Sequence, residues 1–267
     1  MKAISVALAA VRSRVGRIEA NLERTAHWAN KARRLGADLV CFPELNITGY
    51  AATPSLPLAA IPIPGKITRF LQTVSEREGI ALVAGAAEKA ADGRIYATQM
   101  AIRPERSPSF YRKIHIAPME RPLISAGSAA TVFDWQGFRL GIQLCYDAHF
   151  PELTTRMALN GIDGLLIPHA SPRGTPEEKL DSWHRHLPAR AFDNGIYVAA
   201  CNPAGSNGEG MAFPGVTVAY GPDGRRLDAR CHAEEGLAVV TFHRDVLDRW
   251  RRHPIAYFLP NRRPDSY

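Results

Sequence analysis

Cysteine is scarce in this chain and follows no pattern. The four cysteines, Cys41, Cys145, Cys201 and Cys231, stand apart, with no CxxC pair among them. That spacing argues against a structural zinc site and a thioredoxin-like redox motif, so no metal and no cofactor are called for. Disulfide frameworks belong to small secreted domains that cannot build a core. A chain of 267 residues with 46% hydrophobic content can build one. Reduced thiols and a cytoplasmic location are the expectation. Long apolar runs are missing as well; nothing approaches the roughly 20 residues of a membrane span, so no membrane partner is expected. The opening MKAISVALAA has the look of a short signal peptide. Its Ala-x-Ala falls inside the apolar run, however, and a cut there would leave too little of that run behind. It reads instead as a buried first strand. No GxSxG elbow occurs, and no P-loop lysine. AGSNGEG (204–210) has glycines but no GxGxxG order, and is expected to be a mobile loop flanking a pocket. No Ser/Gly-rich linker, repeat or low-complexity tract divides the sequence, so a single domain over 1–267 is expected. The net charge is +7. It is spread rather than clustered, which describes a solvated surface and gives no reason to expect a nucleic-acid partner.

What the chain does have is alternation. AISVALAAV reads as a strand, and Ile18, Leu22, Thr25, Ala29 and Ala32 then recur at helical spacing before the strand in LGADLVCF. A second unit pairs a helix carrying Ile67, Phe70, Leu71 and Val74 with the strand GIALVAGAAE. RIYATQMAIR, SPSFYRKI and FRLGIQLCYD are further strands, and Pro151 can open a helix after the last. IDGLLIP is another buried strand. The segment from Thr175 to Gly195 is a helix with Thr175 as its N-cap and Pro176 in its first turn, kinked or divided at Pro188. IYVAACN, GVTVAY, RRLDARCH and LAVVTF are late strands, with a hairpin signal in DGRR. Helices alternate with strands early and strands pair through turns late. This predicts a layered α/β domain, two stacked sheets between helical layers.

Three strand-like runs stop at a reactive side chain followed by a turn: DLVCFPELNITGY at Glu44, SFYRKIHIAPME at Lys113 and GIQLCYDAHFPE at Cys145. Strand ends are where α/β folds assemble their sites. Each residue also has an ordinary reading, Glu44 and Lys113 as solvated charges and Cys145 as core packing. Together they make a chemical set. A thiol attacks a carbonyl or nitrile carbon as thiolate, a neighbouring ammonium favours that form, and a carboxylate can take the thiol proton and later activate water. The ammonium can also hold the oxyanion of a tetrahedral intermediate.

FPELNITGY, YRKIHI and LCYDAHFPE, in that order, resemble the three signature segments of the carbon–nitrogen hydrolase family, the nitrilase superfamily. MALNGIDGLLIPHAS, HLPARAFDNGIYVAACN and YFLPNRRPDSY extend the likeness over nearly the whole chain. The resemblance implies a four-layer α-β-β-α sandwich and subunits that pair across a helical face as a homodimer or higher oligomer. It also implies a catalytic set of Glu44 as base, Lys113 on the oxyanion and leaving group, and Cys145 as nucleophile. Glu120 falls where relatives have a second glutamate that positions the lysine. Tyr146, through its backbone N–H, is the oxyanion-hole candidate; Tyr50, His149 and His169 complete the candidate substrate-binding set. His149 stands where many relatives have arginine, and either it or His169 reads equally as a hydrogen-bonded structural residue. His184 and His186 are too far apart in angle on their helix to share a metal and are expected to face solvent.

The implied reaction is hydrolysis of a small-molecule, non-peptide C–N bond through a thioester, with an amide as substrate. A nitrile or an N-carbamoyl compound would use the same set. A papain-like enzyme would need a histidine base, and nothing around Cys145 repeats that family's local signature. A catalytically silent binding protein that retains the fold is the alternative of another class.

Overall fold

The computed structural model describes residues 2–232 and 234–266. Two six-stranded sheets stack face to face. The first contains β1 (Ala3–Ala10), β2 (Leu39–Cys41), β3 (Ala81–Lys89), β4 (Ile95–Arg103), β5 (Arg106–Arg112) and β14 (Gly236–His243), in the order β14-β1-β2-β3-β4-β5. The second contains β6 (Thr131–Trp135), β7 (Phe138–Ile142), β8 (Gly164–Pro168), β9 (Tyr197–Cys201), β12 (Val216–Tyr220) and β13 (Arg226–Cys231), in the order β13-β12-β9-β8-β7-β6. Each has a parallel centre, β1-β2-β3 or β7-β8-β9, with antiparallel strands outside it. Helices α1 (Ile18–Arg34) and α3 (Lys66–Glu78) cover the first sheet; α4 (Pro151–Leu159), α5 (Pro176–His184) and α6 (Leu187–Asn194) cover the second. The result is the α-β-β-α sandwich that the sequence predicts.

Period-two alternation sorts the core. In β1, Ile4, Val6 and Leu8 face the other sheet, while Ala7 and Ala9 pack under Trp28, Ala29 and Ala32 of α1. All are buried. Between the sheets, Tyr197 of β9 stacks on Phe242 of β14 at 4.3 Å, and the thiols of Cys41 and Cys201 meet at 3.9 Å. Cys41, Cys145, Cys201 and Cys231 are all free thiols.

The helix boundaries follow their signals. Thr175 Oγ1 accepts from Glu178 N at 3.2 Å, and Glu178 Oε2 accepts from Thr175 N at 2.9 Å, a reciprocal cap that starts α5. Pro188 divides the predicted long helix: α5 ends at His184 and α6 begins at Leu187 with the proline in its first turn. Gly195 closes α6 at φ +60°, a conformation glycine adopts without strain. Several short elements lie outside the sequence prediction: α2 (Ser55–Leu58), the hairpin β10 (Ala204–Ser206) and β11 (Ala212–Pro214), the edge strand β6, and α7 (Arg244–Arg251). The predicted strand FRLGIQLCYD is shorter than expected, because β7 stops at Ile142 and a 3₁₀ turn occupies Cys145–His149.

No helix among the described residues is long and apolar enough to cross a membrane.

Candidate active site

The carboxyl ends of the central strands of both sheets converge at one edge of the sandwich. β5 ends at that edge too, because it runs parallel to β3 two strands away. Glu44 follows β2 on a tight loop laid over β3. Ile47 N donates to Gly85 O at 2.9 Å, and the Asn46 side-chain oxygen accepts from Gly85 N at 2.8 Å. Gly85 allows this close approach. A Cβ there would lie 2.1 Å from Gln99 Oε1 and 2.9 Å from Leu45 N. The far side of the loop is tied to the second sheet, with Glu44 N donating to His169 O at 3.1 Å. Lys113 is the first residue after β5, and its N–H reaches Ala97 O at 2.9 Å.

The two segments and the following loop bring three charges together out of solvent. Lys113 Nζ donates to Glu44 Oε1 at 2.8 Å and to Glu120 Oε1 and Oε2 at 3.1 and 2.9 Å. Lys113 is fully buried; Glu44 and Glu120 are nearly so. Glu120 is fixed further by the Tyr50 hydroxyl at 3.0 Å and by Ala117 N at 3.2 Å. Burial opposes a charged lysine, but the two carboxylates and the nearby Cys145 hold the ammonium well above its usual range. Burial also pushes Glu44 up to about 7; Lys113 pulls it back and Glu120 adds to the rise. Glu44 Oε2 is buried and accepts no hydrogen bond among the described residues.

Cys145 arrives from the other sheet and is partly exposed. Its φ is +42°, rare for a residue with a side chain and a local strain of about 1–3 kcal/mol. Asp147 holds the turn in that shape. Fully buried, its carboxylate accepts from Leu144 N at 2.9 Å, the Tyr111 hydroxyl at 2.6 Å and His115 N at 2.8 Å. Burial and the Glu44 charge push the Cys145 thiol up to about 12, while Lys113 and the Ala170 backbone N–H nearby act in the opposite sense. Glu44, Lys113 and Cys145 thus share one electrostatic neighbourhood, with the thiol proton held on sulfur.

The remaining candidates are placed differently. His169 is buried, directs Nδ1 at Ile167 O across 2.8 Å and packs on Trp183 at 4.3 Å. Burial holds it neutral, well below the usual histidine range. Tyr50 touches Glu120. The Tyr146 ring meets Phe150 edge-on at 5.5 Å. His149 is exposed at the rim and lies over His186 at 4.5 Å. His186 does not face solvent as expected: it is half-buried, its Nε2 is buried without a partner among the described residues, and burial lowers it to about 4. His184 is exposed. The 204–210 segment is pinned rather than loose. Asn207 donates to Tyr50 O at 2.9 Å, and its own carbonyl accepts from Val15 N at 3.0 Å.

Two residues escape a reading of the sequence. Asp147 lies inside the third signature segment, but its importance comes from partners 32 and 36 positions away. Lys179 is buried on the same face of α5 as Trp183, one turn on. A lysine at the spacing of a buried stripe was the available signal. No cluster of three or more His, Cys, Asp or Glu side chains able to hold a metal occurs among the described residues.

A sandwich whose paired sheets bring a cysteine beside a buried glutamate–lysine–glutamate cluster defines a class, and the family model for carbon–nitrogen hydrolases matches residues 5–252. The chain belongs to that family and is a carbon–nitrogen hydrolase. It is 31% identical over 218 residues to an (R)-stereoselective amidase of a Pseudomonas species, covering 80% of this chain and 76% of the relative. It is 29% identical to a nitrilase of Pyrococcus abyssi, covering 92% of each. Among solved structures, it matches an amidase of Nesterenkonia sp. AN1 with a TM-score of 0.84 and 27% identity, over 100% of this chain and 96% of that one. That structure is a double mutant, lacking one glutamate and one cysteine, in complex with acrylamide.

Proposed function

We propose that the protein hydrolyses the amide bond of a small molecule through a thioester on Cys145. The observation that carries this reading is the state of Glu44: one oxygen held by Lys113, the other buried and unengaged, and its proton affinity raised to about 7 beside a protonated thiol. Such a carboxylate is charged about half the time at neutral pH and can take a proton as easily as return it.

In the first half-reaction the thiol proton passes to Glu44 as sulfur bonds to the amide carbon and the carbonyl electrons move onto oxygen. The Lys113 ammonium and the Tyr146 N–H hold that oxyanion. Its collapse breaks the C–N bond, and the proton kept by the Glu44–Lys113 pair leaves with the nitrogen as ammonia or an amine. In the second, Glu44 takes a proton from water as its oxygen adds to the thioester. Collapse expels the sulfur, which recovers the proton, and a carboxylic acid departs. Glu120 positions Lys113, and Tyr50 positions Glu120. The acrylamide complex of the Nesterenkonia amidase supports an amide over a nitrile.

The test is ammonia release across aliphatic amides, ω-amides, N-carbamoyl amines and nitriles, with mass analysis of the trapped acyl-enzyme. Turnover of amides and an adduct on the Cys145 peptide are expected, and Cys145→Ala should abolish both. Adducts confined to Cys41, Cys201 or Cys231 would overturn the assignment.

A further inference from the structure

We infer that Lys179 is a specificity residue that binds a carboxylate carried by the substrate, so that the preferred amides are monoamides of short dicarboxylic acids. The inference rests on the proposed amidase reaction and names its substrate class.

Lys179 is 8% exposed, and no carboxylate lies within ion-pair distance of it among the described residues. The nearest acid in sequence, Glu178, is turned back to cap Thr175. Among the described residues the ammonium has one hydrogen-bond partner, Ser171 Oγ at 2.6 Å, which uses one of its three N–H donors. A charge removed from water without a counter-ion is costly, and unpaired buried lysines concentrate where a ligand completes them. Arg173, exposed beside it, adds further positive charge.

Its position relative to the thiol is defined by the chain. The N–H that addresses the Cys145 sulfur belongs to Ala170, and the hydroxyl that receives the Lys179 ammonium belongs to the next residue, Ser171. Adjacent Cα atoms are about 3.8 Å apart, so sulfur and ammonium lie no farther than roughly 14 Å from each other, and the two groups sense each other's charge. A four- or five-carbon acid with an amide at one end and a carboxylate at the other spans that interval. Ser171 is itself held, with Asn202 exchanging hydrogen bonds with its backbone at 2.8 and 2.9 Å. Trp183, one turn along α5 from Lys179, packs on His169 and fixes the helix face that carries the lysine. The anchor is therefore rigid on both sides.

The experiment compares wild type with Lys179→Met and Lys179→Arg. Turnover is measured on the monoamides of succinic and glutaric acid and on butyramide and valeramide, which match them without the charge. Binding of succinate, which needs no turnover, is measured by calorimetry. Wild type should favour the charged amides. Lys179→Met should lower the charged-to-neutral ratio of kcat/KM, and its affinity for succinate, by about tenfold or more, the size of a charge-assisted hydrogen bond. Lys179→Arg should keep both within a few-fold. The anchor is overturned if the ratio and succinate affinity are unaltered in Lys179→Met, or if wild type prefers the neutral amides. Turnover of the neutral amides alone would leave the amidase reading standing without it. Succinate binding lost in Lys179→Met, with no amide turned over by wild type, would support the anchor and remove the amidase reading.

Discussion

At the scale of single residues, the site is a problem in proton placement. Three charges sit out of water, and two of them are negative. Lys113 is the counter-ion to both glutamates, so Lys113→Met should be severe. Two facing buried carboxylates would remain, and breaking a buried pair costs about 3–5 kcal/mol. Denaturant unfolding at pH 8 should show that loss, with a smaller one at pH 5, where protonation relieves the repulsion. Glu44 makes a separate prediction. Its base form is the ionised one, so kcat/KM should fall as pH drops through about 7, and Glu44→Gln should remove the activity along with that limb. Stability should respond in the opposite sense. A carboxyl whose folded pKa is raised favours the folded state below its unfolded value near 4.5, and that contribution is lost as pH rises through about 7. Glu44→Gln should therefore gain more thermal stability over wild type at pH 8 than at pH 5.

At the scale of elements, each candidate side chain is aimed by a loop whose geometry is set elsewhere. The loop bearing Glu44 rests on a glycine of another strand. Gly85→Ala should push that loop off β3 and reduce kcat by about tenfold or more, since small misplacements are costly in a positioned site. Near-normal steady-state rates for that variant would show that the loop tolerates the shift. This scale also marks where the sequence stops being informative. The three strand ends were legible because each is an apolar run that halts at a charged or nucleophilic residue. The Thr175 cap, Pro188 and Gly195 were legible because their chemistry is local. Strand β6 and helix α7 were not, because each is short and takes its place from neighbours distant in sequence. The surroundings of His186 were hidden for the same reason: the ring it lies against, His149, is 37 positions earlier.

For the whole molecule, the two sheets carry different halves of the proposed chemistry. Glu44, Lys113 and Glu120 belong to the first; Cys145 and Ala170 belong to the second. Their alignment depends on ties across the sandwich, of which Asp163 is the most charged. It sits before β8, and its carboxylate accepts two bonds from Arg244 at 2.7 Å and one from Arg251 at 2.9 Å. Those arginines belong to α7, which continues from β14 of the opposite sheet. Burial would raise the Asp163 carboxyl, but Arg244, the Arg139 N–H and Arg251 hold it below the usual range. Its contribution is present above its unfolded value near 3.9 and is lost as pH falls through the lower folded one. Asp163→Asn should lower the melting temperature by several degrees at pH 7, with a smaller deficit in strong acid. An equal deficit at both would show that charge has no part in it.

The Cys41–Cys201 contact lies on the same seam, at the last residue of β2 and the last residue of β9. Bulk added there, or a methyl-sized void left there, would shift one sheet against the other like a misregistered pair of gears. Turnover would then suffer well before the fold gave way, and a screen that scores only melting would pass such variants as harmless.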